Sequence, residues 1–304
     1  MTTVDQTYTR AGLALGAALH QLALDALARG VGQAMPTNAQ YLSEHQLGAG
    51  TIQRALGFLA ERDALGITSH GHQGRRVQSM DVGRLWQLGG LAPVSVAMPP
   101  EGPEEIDRLQ TALAQGLTDL GIPHMMHHLR GGVLRLAAVQ RGEHDISVTS
   151  ARAAQEANAG VAHGLPASLV RTLGPGTFYG PGSLVSVRRT GAVPARQQRV
   201  AIDPDSPDHV ALTRAEFPLG EGTTYVEIAF TSVPAAVLRN EVEVGIWHRQ
   251  ESIIPLELAG LSTSPLTRRE AIQTWESLSN AVLTGWTGRP ELAAVLAALD
   301  LASD

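Results

Sequence analysis

The 304-residue chain contains no cysteine and no lysine. Without cysteine there is no disulfide frame, no thiol nucleophile and no cysteine-based zinc site. Without lysine there is no Schiff-base amine, no P-loop lysine and no Ser-x-x-Lys nucleophile pair. Aromatic residues are scarce, at 4%, and charged residues make up 17%. Long apolar runs are also missing. The most apolar early stretch, Ala11–Leu19, is interrupted by His20 and Gln21 and is too short to span a bilayer. The only early cation is Arg10, behind Asp5, a poor start for a signal peptide. The expectation is a soluble cytoplasmic protein with no membrane partner.

Catalytic patterns are equally thin. No G-x-S-x-G elbow occurs, and Gly180-Pro181-Gly182-Ser183 matches one only in part. His124, His127 and His128 cluster on a strand candidate. Alternation puts His124 and His128 on one face and His127 on the other, with no carboxylate at a ligand spacing. No catalytic residue, metal site or cofactor is assigned, and the chain is not read as an enzyme.

What is present is aliphatic. Hydrophobic residues reach 43%, enough for ordinary globular cores, and the length suits two domains or one large domain with an appendage. All 23 basic residues are arginine, and the net charge of −6 is uneven. Met1 to Ala92 holds seven arginines against six acids, and Pro93 to Asp304 holds sixteen against twenty-three. The N-terminal third is therefore the part better suited to an anionic partner.

Helical spacing of Leu15, Leu19, Leu22 and Ala26 predicts a helix over Arg10–Arg29, stopped by Gly30. Asn38 can N-cap a short helix, Ala39–His45. Ile52, Ala55, Leu56 and Leu59 form the apolar stripe of a third helix, from about Ala49 to Arg62. Gly57 inside it costs about 1 kcal/mol relative to alanine, which close helix packing would explain. Gly66–Gln78, punctuated by Gly71 and Gly74, predicts a hairpin. Three short helices and a hairpin describe a winged helix-turn-helix, or a small helical domain that contacts another protein. In the first reading the third helix presents Thr51, Gln53 and Arg54 to base edges. The wing then offers His70, His72, Arg75 and Arg76 to phosphates or a minor groove.

After a connector containing Leu85, Trp86 and Leu88, the pattern changes. Val94–Met98, His124–Leu129 and Asp145–Thr149 are strand candidates. Helices over Glu104–Leu120 and Val133–Gln140 separate them. This β-α-β-α-β order predicts an α/β fold with a parallel sheet. Gly174–Gly182, with four glycines and two prolines, marks a linker, a hinge or a crossing between lobes. Arg199–Ile202, Tyr225–Ala229 and Val242–Trp247 are later strand candidates. Thr267 and Glu270 form a capping box for a helix after Leu266. A last helix starts near Pro290.

Two stretches carry a resemblance. Leu47-Gly48-Ala49-Gly50-Thr51-Ile52-Gln53-Arg54-Ala55-Leu56 resembles the recognition helix of GntR-type winged-helix repressors, with Gly48 where a serine is usual. Ser69-His70-Gly71-His72-Gln73-Gly74-Arg75-Arg76-Val77 resembles their wing, with Arg75-Arg76 in place of Thr-Phe. Taken with Val82–Gly89, Gly121-Ile122-Pro123, Arg130-Gly131-Gly132 and Gly142–Ser150, the chain resembles the YhfZ family of GntR-like regulators. The resemblance runs from about Leu42 to Ala154 and more thinly beyond. It implies a DNA-binding head, residues 1–80, and a connector, 81–92. A two-lobed domain like type 2 periplasmic binding proteins would then fill 93–304. Lobe I would cover about 93–178 and 253–304, and lobe II about 179–252. The implied partners are double-stranded DNA and a small-molecule effector. A head of net charge +1 neutralises few phosphates, so a homodimer with two heads on half-sites is expected.

The residues point to a binding cleft on their own. Ligands of open α/β sheets sit beyond the carboxyl ends of strands. Met98-Pro99, Arg130-Gly131-Gly132 and Ser150 fall at such ends, and glycines before a helix start favour an anion. Arg130 pairs with an acidic ligand or is a surface salt-bridge residue. Ser150 is a ligand contact or an N-cap, and Ser206 is a cap that can also touch ligand. Trp247 and His248 close over the ligand, or Trp247 belongs to the core. Phe178 and Tyr179 lie beside the glycine-proline run. A carrier or an enzyme using this cleft, with the head as an interaction module, is the rival expectation.

Overall fold

A computed structural model describes residues 3–69, 74–159, 166–192, 197–220, 222–250 and 255–301. The chain opens with α1 (Thr3–Arg29), α2 (Asn38–His45) and α3 (Ala49–Ala60), followed by the antiparallel pair β1 (Leu65–Ser69) and β2 (Arg75–Met80). Their apolar faces share one core of Ala18, Leu22, Ala26, Tyr41, Ile52, Ala55, Leu59 and Val77. Residues 32–35 add a third strand-like segment to the hairpin. Gly32 N–H donates to the Val77 carbonyl at 2.8 Å and Met35 N–H to the Arg75 carbonyl at 2.9 Å. Three helices with this hairpin are a winged helix-turn-helix.

Two local expectations are corrected here. The N-cap of α2 is Thr37, in a capping box with Gln40, and not Asn38. Asn38 is the first helical residue, and its Oδ1 accepts from Arg75 Nη2 at 2.7 Å. Gly57 is not a packing glycine, because a Cβ built there meets nothing within 4 Å. Gly57→Ala is therefore expected to stabilise the protein by about 0.5–1 kcal/mol, read as a raised urea midpoint at unchanged slope. A lowered midpoint would contradict this placement.

The connector forms α4 (Val82–Leu88), capped by the Asp81 side chain. The rest of the chain alternates β3 (Val94–Met98), α5 (Glu104–Asp119), β4 (His124–His128), α6 (Gly132–Gln140), β5 (Ile146–Ser150), α7 (Ala151–Ala159) and β6 (Val170–Thr172). It then runs through β7 (Leu184–Arg189), β8 (Gln198–Ile202), α8 (Pro207–Glu216), β9 (Thr223–Glu227), α9 (Val233–Leu238) and β10 (Val244–His248). The last elements are β11 (Leu261–Pro265), α10 (Arg269–Leu278), β12 (Ala281–Gly285) and α11 (Leu292–Ala298).

These strands make two five-stranded sheets of the same design, β4-β3-β5-β12-β6 and β9-β8-β10-β7-β11. In each, three successive strands are parallel and the next is antiparallel; in the first sheet that antiparallel strand, β12, arrives after the chain has built the second sheet, whereas β7 directly precedes β8. The sequence expectation of a parallel β-α-β-α-β unit holds for β3, β4 and β5. It did not include β6, β7, β11 or β12. The second sheet takes in Leu261–Pro265 through pairing with β7, so lobe II extends past the expected limit of 252. Helix α10 also packs on α8 of that lobe.

The chain crosses between the sheets twice, through residues 173–183 and again near Ser279. The crossings are tied together: Phe178 N–H donates to the Ser279 carbonyl at 2.8 Å, and Asn280 Nδ2 to the Leu173 carbonyl at 2.7 Å. The expected Thr267–Glu270 capping box is absent. Helix α10 is N-capped at Arg268, and Thr267 Oγ1 instead donates to Glu216 Oε1 at 2.8 Å. Glu216 also accepts the Thr267 and Arg268 backbone N–H groups, so a carboxylate from α8 satisfies the start of α10.

The head is seated on the first sheet's side of the molecule. Helix α1 packs against both α4 and α11. Among the described residues no helix is long and apolar enough to cross a membrane.

Candidate functional site

A cleft opens between the carboxyl ends of the parallel strands of the two sheets. From the first sheet come Pro99 and Pro100 after β3, and Arg130, Gly131 and Gly132 after β4. From the second come Asp203, Asp205 and Ser206 after β8, Phe230 and Thr231 after β9, and His248 with Gln250 at the end of β10. Phe178 and Tyr179 line it from the first crossing. The enclosed room is about 70 Å³.

Of the residues singled out from the sequence, Pro99, Arg130, Gly131, Gly132, Ser206 and His248 meet in this cleft. Three others do not line it. Met98 and Trp247 are buried in the cores of their sheets, because alternation turns them away from the strand ends. Ser150 is fully buried, and its Oγ accepts the Ala153 N–H at 3.1 Å, which makes it a cap for α7. Ser206 is the N-cap of α8 and also faces the cleft.

The floor of the second lobe is a fixed polar network. Asp203 accepts Asp205 N–H at 3.1 Å and Phe230 N–H at 2.7 Å, joining the ends of β8 and β9. His209 Nδ1 accepts Asp203 N–H at 2.8 Å, so its other nitrogen carries the hydrogen and donates to the Ile246 carbonyl at 3.0 Å. Burial pushes the His209 pKa down to about 4, which keeps the ring neutral in this role.

Three contacts bridge the lobes. Arg130 Nη2 lies 3.1 Å from Asp205 Oδ2, and Nη1 lies 4.0 Å from Asp203. His248 Nε2 lies 2.9 Å from Glu105 Oε1, with both side chains at or below 10% exposure. Tyr179 donates to Asp208 Oδ2 at 3.0 Å. Burial alone would raise the Glu105 pKa, but hydrogen bonds from His248 and the Gly180 N–H outweigh it and hold the carboxyl at about 2.

Two cleft residues escaped the sequence reading. Arg135, 3% exposed, donates through Nε to the Val148 carbonyl at 2.7 Å and through Nη1 to the Leu129 carbonyl at 2.6 Å. Asp208, 5% exposed, has an Oδ1 with no hydrogen-bond partner. In a lone sequence Asp208 looks like an ordinary first-turn acid of a helix, and Arg135 like an ordinary helical arginine.

On the head, Gln53 and Arg54 are exposed on the outer face of α3, and Thr51 is half-buried. Arg75 and Arg76 are half-buried and engaged, by Asn38 and by the Gly32 carbonyl at 3.0 Å. His70 and His72 lie outside the described residues. Among the described residues no group of three or more His, Cys, Asp or Glu could hold a metal ion.

Two sheets of one strand order, the first completed by β12 after the chain has passed through the second, enclose an inter-lobe cleft. With the head, this defines a winged helix-turn-helix joined to a two-lobed α/β domain. The chain belongs to the YhfZ C-terminal domain family, whose model matches residues 81–302. It is 28% identical over 254 residues to the YhfZ protein of Escherichia coli strain K12, covering 83% of this chain and 80% of that one. That alignment is longer than the stretch after residue 80, so it reaches into the head. The crystal structure of YhfZ from Shigella flexneri is similar with a TM-score of 0.50 and 25% identity, over 72% of this chain and 88% of that one. The alkanesulfonate-binding protein SsuA from Xanthomonas axonopodis pv. citri, bound to MOPS, is similar with a TM-score of 0.47 and 16% identity, over 68% and 72%.

Proposed function

We propose that the protein is a cytoplasmic transcription regulator that binds DNA through its head as a homodimer and senses a small molecule carrying an acidic group in the inter-lobe cleft. The observation that carries the DNA reading is the outer face of α3. Gly50, Gln53, Arg54 and Gly57 follow one another at helical spacing there. Gln53 and Arg54 are exposed, and no Cβ contact constrains either glycine. An amide and a guanidinium between two glycines suit close approach to base edges in a major groove. A carrier or an enzyme has no use for such a face.

One small head neutralises few phosphates, so two heads on half-sites supply the affinity. The packing of α1 on α4 and α11 makes the head ride on the first lobe. Movement of the second lobe on ligand binding then changes the geometry between paired heads, and the coupling is reciprocal. On a duplex that the wild type selects, Arg54→Ala should relax base discrimination by about 1–3 kcal/mol, or roughly 5- to 150-fold. Arg76→Ala should weaken all sequences alike. Fluorescence anisotropy on matched and mismatched duplexes measures both. Unchanged discrimination in Arg54→Ala would remove α3 as the reading element.

A further inference from the structure

The two walls of the cleft carry opposite charge. On the first lobe, α6 begins at Gly132 after Gly131, which is held at φ 84°. It has no side-chain cap and no acid in its first turn. Its first backbone N–H groups and the positive end of its dipole are left for something outside the helix. Arg135 sits in that first turn. Its Nε is taken by the Val148 carbonyl in the middle of β5 and its Nη1 by the Leu129 carbonyl just after β4, while Nη2 has no hydrogen bond among the described residues. No carboxylate among those residues comes within 4.0 Å of the guanidinium, although it lines the cleft and is nearly fully buried. The charge that acts on it is that of Asp208 on the opposite wall, which is not in direct ion-pair contact with it. A buried cation without a direct ion pair is costly.

The second lobe is the reverse. Helix α8 carries Asp208 in its first turn, and Asp203 and Asp205 precede it, with no arginine on that wall of the cleft. The dipole of α8 is therefore already answered by its own chain. Asp208 keeps one oxygen buried beside the Ser150 side chain and without a hydrogen bond of normal geometry among the described residues, and Asp203 is pinned by two backbone N–H groups with its carboxylate facing the cleft. A simple acid placed between these walls would satisfy Arg135 and face the carboxylates. A simple amine would do the opposite.

We propose that the ligand of this cleft is a small zwitterion, an amino acid in the broad sense, with its acid group on Arg135 and the first turn of α6 and its ammonium on Asp208 and Asp203. This rests on the reading of the cleft as the effector site and narrows its chemistry. Arg130, exposed at the rim and paired with Asp205 across the lobes, is then a latch for the closed cleft, and Arg135 is the anchor. The enclosed room of about 70 Å³ equals roughly five to seven water positions. That limits the ligand to a short backbone with a small side chain, which Ile106, Phe178 and Phe230 would cover.

The test is a calorimetric and thermal-shift panel on the full chain. The probes are glycine, alanine, serine, threonine, β-alanine and 4-aminobutyrate, each beside the amine lacking its carboxylate and the acid lacking its amine. Simple sugars and dicarboxylates complete the panel. At least one zwitterion should bind, with both of its truncated forms at least tenfold weaker. Arg135→Met, which replaces the buried cation with an apolar side chain, should keep the fold and lose binding by at least a hundredfold. Asp208→Asn should lose at least tenfold, and Arg130→Ala less than either. A truncated acid or amine that binds as well as its parent overturns the zwitterion assignment and leaves the cleft as an effector site. So does a ligand retained in full by Arg135→Met and Asp208→Asn, or a sugar or dicarboxylate as the only hit. Absence of binding by every compound overturns this inference, and the effector reading then falls separately if DNA affinity also ignores cell-extract metabolites.

Discussion

Replacement of Trp86 by alanine is expected to lower the unfolding free energy by about 3–5 kcal/mol, the largest effect of any single truncation considered for the chain. Trp86 is 1% exposed and lies on α4, the element between head and sensor. Its ring faces the Arg289 guanidinium, 5.2 Å from the centroid. Arg289 also pairs with Asp145 at 3.1 Å and Glu291 at 2.7 Å, and reaches the Ala92 and Pro93 carbonyls. Removing the indole leaves a cavity under α1 and strips a desolvating wall from a buried ion-pair network. Gly83 on the same helix leaves no slack, since a Cβ there would come within 2.0 Å of the Leu120 carbonyl oxygen. Urea titration measures the effect. A loss below about 1 kcal/mol would contradict the placement of α4 as the joint between head and sensor.

The second large effect is expected in acid. His209 is buried neutral, with its pKa pushed down to about 4 from 6.5, so the unfolded chain takes up a proton that the folded chain refuses. Stability from this residue is full above about pH 6.5 and is lost as the pH falls to 4, on the order of 3 kcal/mol. Glu105, held at about 2 against 4.5, contributes a similar amount that is full above about pH 4.5 and disappears toward pH 2. Asp208 works in the opposite direction, because burial raises its pKa, and it offsets part of the loss. Urea midpoints should fall steadily from pH 7 to 4 and further below. In Glu105→Gln, the part of the loss that this carboxyl causes below pH 4.5 should disappear. A stability flat between pH 7 and 4 would contradict the buried neutral role of His209.

The cleft was legible where strand-end logic applies. Arg130-Gly131-Gly132 and Asp203–Ser206 are short polar or glycine-rich punctuation directly after strand candidates, and both reached the site. Helix α5 was legible because Ile106, Leu109, Leu113 and Leu117 repeat on one face. Strands β7 and β12 were not. Leu184–Val187 and Ala281–Gly285 are buried on both faces, so they show no alternation, and their sheet partners lie far away in sequence. Missing them placed the end of lobe II too early. Arg135 was illegible for a related reason. Its neighbours Val133, Leu134 and Leu136 give a helical pattern in which an arginine reads as surface. Only β5 and the end of β4 folded over it make it a buried cation. The Thr267–Glu270 box failed because a stronger acceptor, Glu216, arrives from another helix.

The central claim is that the head recognises DNA sequence. The most direct measurement is selection of bound fragments from sheared genomic DNA by the purified full chain, followed by sequencing. Enrichment of a short inverted repeat is expected, with half-sites about 10–10.5 base pairs apart or at a multiple of that spacing, and in Arg54→Ala the preference at one or more positions of each half-site should relax. Recovery of bulk DNA with no enriched sequence, or an unchanged base preference at every position in Arg54→Ala, would contradict the claim.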